Sequence, residues 1–91
     1  MILSIRHRGL ASLYERGDGS RLPPEHLAKI ERILARLDIA TQPSDMDLPG
    51  YRLHRLRGEL RGLWSVRVSA NWRIVFRFDG SNVRDVDYIG P

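Results

Sequence analysis

The chain has no cysteine, so disulfide staples and thiolate metal sites are excluded. It has no long apolar run: no window holds the roughly eighteen apolar residues that a membrane helix requires. The opening stretch Met1-Ile2-Leu3-Ser4-Ile5-Arg6 is too brief an apolar run for a secretory leader. These absences fit a cytoplasmic protein with no membrane partner. Lysine is almost missing, with Lys29 alone beside fourteen arginines. Histidine is scarce too. His7, His26 and His54 show no spacing of the His-x-x-x-His kind, so neither a metal nor another cofactor is expected.

What is there is a small globule. Ninety-one residues hide roughly 60–65% of their unfolded surface, enough for one core and one domain over residues 1–91. Apolar residues at 42% and charged ones at 29% are wrong for a disordered chain. There are no repeats, low-complexity tracts or linkers. The net charge of +4 is unevenly placed. Residues 1–50 balance seven basic against seven acidic side chains, whereas residues 51–91 set eight arginines against Glu59, Asp79, Asp85 and Asp87. An anion would dock on the second half. Arginine rather than lysine favours planar, bidentate contacts to phosphate or carboxylate.

The first half reads as helical. Ile2 to Arg6 alternates weakly and predicts a short strand. Leu10, Leu13 and Tyr14 predict a helix over Gly9 to Arg16, ended by Gly17-Asp18-Gly19-Ser20. Pro23-Pro24-Glu25 then starts a longer helix with the apolar stripe Leu27, Ile30, Ile33, Leu34 and Leu37. The pattern fades at Ala40-Thr41, and Pro43 prevents continuation. Ser44 is placed to cap one further short turn with its hydroxyl.

From Tyr51 the period changes to two. Four strands are expected: Tyr51–Leu56, Leu63–Ser69, Trp72–Phe78 and Val83–Ile89. The short connections, with Asp79-Gly80 the strongest turn signal, force antiparallel pairing. The expectation is an α+β fold, with an N-terminal strand and two helices packed on a mainly antiparallel sheet.

Alternation assigns the faces of that sheet. Trp64, Val66 and Val68 go one way, while Ser65, Arg67 and Ser69 go the other. Trp72, Ile74, Phe76 and Phe78 oppose Arg73, Val75 and Arg77. Val86 and Tyr88 oppose Asp85 and Asp87. The apolar sets need the helical stripe as cover, so Arg67, Arg73 and Arg77 point away from the core. If Leu53 is inward, His54 joins them, edged by Arg55, Arg57 and Arg61. Such a face suits a phosphodiester. RNA cleavage through the 2′-hydroxyl needs a group that moves a proton near neutral pH and cations that hold the charge gathering on phosphate. His54 and the arginines supply both. The alternative for His54 is an ordinary exposed strand histidine. Asp85 and Asp87 are expected to pair with Arg73 or Arg77 across strands rather than hold a divalent ion. The parity of Trp64 and Trp72 places them with the core rather than stacked on RNA bases.

Four blocks carry a resemblance. They are Asp38-Ile39-Ala40-Thr41; Leu48-Pro49-Gly50-Tyr51-Arg52-Leu53-His54-Arg55-Leu56-Arg57-Gly58; the run from Gly62 to Phe78, including Asn71-Trp72-Arg73-Ile74; and Asp85-Val86-Asp87-Tyr88. In their order and spacing the chain resembles the HigB toxins of the RelE/ParE toxin–antitoxin superfamily. The resemblance implies a RelE-like, microbial RNase-like fold. It implies an endoribonuclease that cleaves mRNA in the ribosomal A site and stops translation. It also implies a small helix-turn-helix antitoxin of the HigA type, through which the pair would reach operator DNA. By position, His54 would transfer protons, Arg57 would contact phosphate where the family usually has lysine, and Arg73 would steady the scissile phosphate.

Two departures stand beside it. Ser69 occupies a place where related toxins often carry a basic residue. Related toxins also commonly end in Asp-Tyr-His, whereas this sequence runs Tyr88-Ile89-Gly90-Pro91. A second expectation therefore stays open: a toxin-like protein with little or no catalysis, acting through its antitoxin and operator or by blocking DNA gyrase. A third, resting on charge alone, is a general RNA-binding module. The long helix and the N-terminal segment are the expected antitoxin surface.

Overall fold

A computed structural model describes all residues, 1–91. Two helices come first, α1 over Arg8–Arg16 and α2 over Pro24–Ile39. Four strands follow: β1 His54–Arg55, β2 Trp64–Arg67, β3 Arg73–Asp79 and β4 Asn82–Ile89. They form one antiparallel sheet in the order β1-β2-β3-β4.

Helix α1 has an unusual start. The His7 Nδ1 accepts hydrogen bonds from the backbone N–H groups of Gly9 and Leu10, at 3.0 and 3.3 Å. Histidine thus fills the place that Ser, Asp or Asn usually takes. The helix stops at Gly17, whose φ of 69° lets its N–H turn back to the Leu13 carbonyl. Helix α2 buries Ile30, Ile33, Leu34 and Leu37 against the sheet, with Leu27 half-buried beside them. It ends at Ala40, and a short 3₁₀ turn over Pro43–Met46 follows. Ser44 does not cap that turn. Instead the Asp45 carboxylate accepts from the Thr41 backbone N–H at 3.0 Å, because a carboxylate reaches a free donor that the shorter hydroxyl does not.

The inner sheet face supplies the rest of the core: Val66, Ile74, Phe76, Val83, Val86 and Tyr88. Val75 is equally buried but lies outside that cluster, on the opposite face. Opposite Phe76 the ladder slips, and Asp85 and Val86 share one place between the pairs Val75–Asp87 and Arg77–Arg84. Asp85 takes a left-handed φ of 57° there, and its N–H donates to the Ser4 Oγ at 2.9 Å. This bulge turns Val83, Val86 and Tyr88 all inward despite their uneven spacing.

The N-terminal segment is not a regular strand. Ile2 and Ile5 form isolated parallel bridges to Val83 and Val86. The bulge breaks the regular step along β4, so the segment bonds at three-residue intervals. The expected strand from Tyr51 to Leu56 shrinks to β1 because Gly50 and Arg52, with φ of 83° and 48°, bend the backbone. The expected β2 loses both ends, and β3 starts one residue later than the pattern placed it. No helix is long and apolar enough to cross a membrane.

Candidate functional site

The open face of the sheet is built in rows. One row runs His54–Ser65–Val75–Asp87, and the next runs Arg67–Arg73–Ile89. Ser65 and Val75 are small and buried, so the long side chains around them wall a trough. A cavity of about 540 Å³ opens there. His54, Arg52, Arg67 and Arg73 line it, together with Leu53, Ser65 and the turn Ser69–Trp72. A second cavity of about 490 Å³ adjoins it, lined by Arg55, Arg57 and Arg61. His54 borders both.

Local structure holds His54 in place. The Lys29 ammonium donates to the Gly50 carbonyl at 3.1 Å and lies 5.6 Å from the centre of the Tyr51 ring. Tyr51 is buried, and its carbonyl accepts from the Arg67 N–H at 2.6 Å. The chain then turns through Arg52 and enters β1, where His54 pairs with Ser65. Leu53 packs against the core and His54 is exposed, as alternation requires.

The electrostatics are one-sided. The ion pairs of the molecule are Arg77–Asp85 at 3.1 Å and Arg84–Asp79 at 2.7 Å. Arg52, Arg55, Arg57, Arg61, Arg67 and Arg73 have no carboxylate within ion-pair distance. The Lys29 ammonium registers the field: burial first, then the Arg67 and Arg32 charges, push its pKa below the ordinary lysine value. Arg77 is held by Asp85 instead of facing solvent alone. Asp87 makes no ion pair, and its Oδ1 accepts from the Tyr88 N–H. The arrangement offers guanidinium donors without acidic partners and one imidazole around an open cavity.

Alternation therefore brings His54, Arg67 and Arg73 into one cavity and places Arg55, Arg57 and Arg61 in its neighbour. Two lining residues were not among the expected site residues. Arg52 shares the parity of His54 and reaches the cavity from its left-handed turn. Trp72 packs on the core yet also lines the cavity, because it stands at the mouth of β3.

The fold is that of RelE-like toxins. The chain matches a solved chain of the YoeB-YefM complex from Staphylococcus aureus with a TM-score of 0.63, 15% identity and coverage of 98% of this chain and 95% of that one. The family is settled by sequence. A family model described as a RelE-like toxin of the type II toxin-antitoxin system HigB matches residues 3–91. The chain is 38% identical over 88 residues to Endoribonuclease HigB of Proteus vulgaris, covering 97% of this chain and 96% of that protein. It is 34% identical over 80 residues to Toxin HigB-1 of Vibrio cholerae serotype O1, covering 86% and 84%. The chain belongs to the HigB-like toxin family, and as a type II toxin it binds an antitoxin.

Proposed function

We propose that this toxin is a cytoplasmic endoribonuclease that cleaves mRNA in the ribosomal A site and is neutralised by a helix-turn-helix antitoxin of the HigA type. The observation that carries the reading is Arg67 and Arg73 side by side, without an acidic partner, in the cavity that His54 borders. The likeness to a relative named as an endoribonuclease supports it.

The chemistry follows from these groups. A phosphodiester seated on Arg67 and Arg73 presents its 2′-hydroxyl toward the imidazole. His54 takes the hydroxyl proton as general base. The 2′-oxygen bonds to phosphorus, the bond to the 5′-oxygen breaks, and that oxygen takes a proton from the water of the open trough. Negative charge grows on the non-bridging oxygens during this exchange, where the two guanidinium groups bind it more tightly than in the ground state. Arg55, Arg57 and Arg61 extend the positive surface along the strand. An antitoxin on α2 and the N-terminal segment would leave this face uncovered and act by bulk.

Mapping transcript ends in cells expressing the toxin or its folded Arg73→Ala variant tests the proposal. Cuts in reading frame within translated messages, absent with the variant, are expected. Intact messages accompanied by supercoiling defects would overturn it in favour of a gyrase block.

A further inference from the structure

Residues with side chains rarely take a left-handed backbone, and this chain keeps to that rule almost throughout. Five of its seven positive-φ positions are glycine, and a sixth is Asp85, a residue type that tolerates the region. The seventh is Arg52, with φ of 48°. An arginine held there carries a backbone cost. No ion pair offsets it: the residue is exposed and has no carboxylate within ion-pair distance.

The turn around Arg52 is braced from both sides. Before it, Lys29 in α2 donates to the Gly50 carbonyl at 3.1 Å, and Tyr51 is buried. After it, Leu53 packs on the core and His54 pairs with Ser65. Continuing that register two residues back brings Arg52 opposite Arg67. There the ladder slips. The Arg67 N–H donates to the Tyr51 carbonyl at 2.6 Å, one residue short of the Arg52 carbonyl that a regular ladder would offer. Arg67 in turn stands opposite Arg73. Three arginines thus follow one another across three adjacent segments, a span of roughly 10 Å at the usual strand spacing. All three line the cavity, and none has an acidic partner.

A row of three unpaired cations suits a polyanion rather than a single anion. In the proposed function one phosphate already gives its two non-bridging oxygens to Arg67 and Arg73. Arg52, at the end of the row, is left for the next phosphate of the same strand. We propose that Arg52 binds a phosphate flanking the reacting one, and that its strained backbone is kept because the row needs a guanidinium at that end. The inference rests on the reading that the cavity holds RNA. It makes the ligand a strand with at least two consecutive phosphates.

The test uses the full chain and two 2′-O-methyl RNA probes without terminal phosphates, a dinucleotide with a single phosphate and a trinucleotide with a pair of them. Binding is followed by NMR at the arginine Nε–H groups, and Arg52→Gly and Arg52→Ala are compared with the parent. Both variants are expected to bind the trinucleotide about tenfold more weakly, the loss of one charged hydrogen bond. Both should bind the dinucleotide, which sits on the Arg67–Arg73 pair, as the parent does. The dependence of log affinity on log salt for the trinucleotide should flatten by about 0.7. Arg52→Gly should also melt a few degrees above Arg52→Ala, because only glycine takes the left-handed turn freely. Shifts at Arg67 and Arg73 with undiminished trinucleotide binding by both variants would overturn the role of Arg52 and leave the RNA reading intact. Equal weakening of both probes would also overturn it, since Arg52 would then act on the reacting phosphate or on the shape of the site. No shift at Arg67 or Arg73 with either probe would overturn both readings.

Discussion

Arg67 and Arg73 stand directly opposite each other across β2 and β3, and neither has a carboxylate within ion-pair distance. Like charges so placed destabilise a sheet by up to about 1 kcal/mol. The proposed function gives a reason for that cost, since it places an anion on this pair. Arg67→Ala and Arg73→Ala are therefore expected to melt at or above the parent temperature. Cleavage of mRNA on ribosomes should fall about 100-fold or more for Arg73→Ala. It should fall about tenfold for Arg67→Ala, the loss of one charged hydrogen bond. Thermal melts and single-turnover cleavage on the same preparations check both halves. A clear drop in melting temperature would mean that the pair is structural.

The Asp38 carboxylate ties three elements together. Its Oδ1 accepts from the Tyr14 hydroxyl at 2.6 Å and from the Ile2 backbone N–H at 3.1 Å. The Tyr14 bond, then the Ile2 bond, hold its pKa below the ordinary value of 3.8. The same carboxylate, with burial, pushes Tyr14 from 10.0 up to about 12. A depressed acid stabilises the fold above its unfolded pKa, and that share is lost as pH falls through the folded value. A raised phenol stabilises below its unfolded pKa, and that share is lost as pH rises through the folded value. The stability difference between the parent and Tyr14→Phe should be flat from 3.8 to 10.0 and shrink outside that window. Urea titrations across pH measure it. A difference that changes near neutrality would show that another group controls the contact.

Much of this is legible in the sequence alone, and the rest is hidden for physical reasons. The α2 stripe, the Asp79-Gly80 hairpin and the faces of β2 and β3 follow from local period, which packing then enforces. The pairing of Ile2 and Ile5 with β4 joins opposite ends of the chain, and no local pattern encodes it. The bulge at Asp85 is invisible because Arg84-Asp85-Val86-Asp87 alternates well enough without it. The cap at His7 gives no local signal, because an imidazole rarely takes that place. At the site, alternation found His54, Arg67 and Arg73, since a strand leaves only two directions. It assigned Trp72 a face but could not show that the strand's mouth opens onto the cavity.

The bulge itself makes a separable prediction. Asp85 carries two burdens: a left-handed backbone and an ion pair to Arg77 whose side chains are 43% and 35% exposed for Arg77 and Asp85. An exposed pair is worth less than about 1 kcal/mol. Asp85→Asn removes the charge but still tolerates the left-handed region. It should therefore lose less than about 1 kcal/mol in urea unfolding. Asp85→Val also forces a β-branched residue into that region and should lose about 1–3 kcal/mol. Equal losses would place the energy in the ion pair rather than in the backbone.

The second cavity separates binding from chemistry. Arg55, Arg57 and Arg61 lie beyond His54 from the arginine pair, so they would hold phosphates adjacent to the one that reacts. Contacts made equally in the ground and transition states change the substrate concentration needed, not the maximal rate. Arg61→Ala should therefore raise the concentration of programmed ribosomes needed for half-maximal cleavage and leave the saturated rate near that of the parent. It should also flatten the dependence of log affinity on log salt by about 0.7, the value for one contact to a single strand. Cleavage titrations at several salt concentrations read both quantities. If the saturated rate collapses while the salt slope stays the same, Arg61 acts on the reacting phosphate and the order of sites along the strand is wrong.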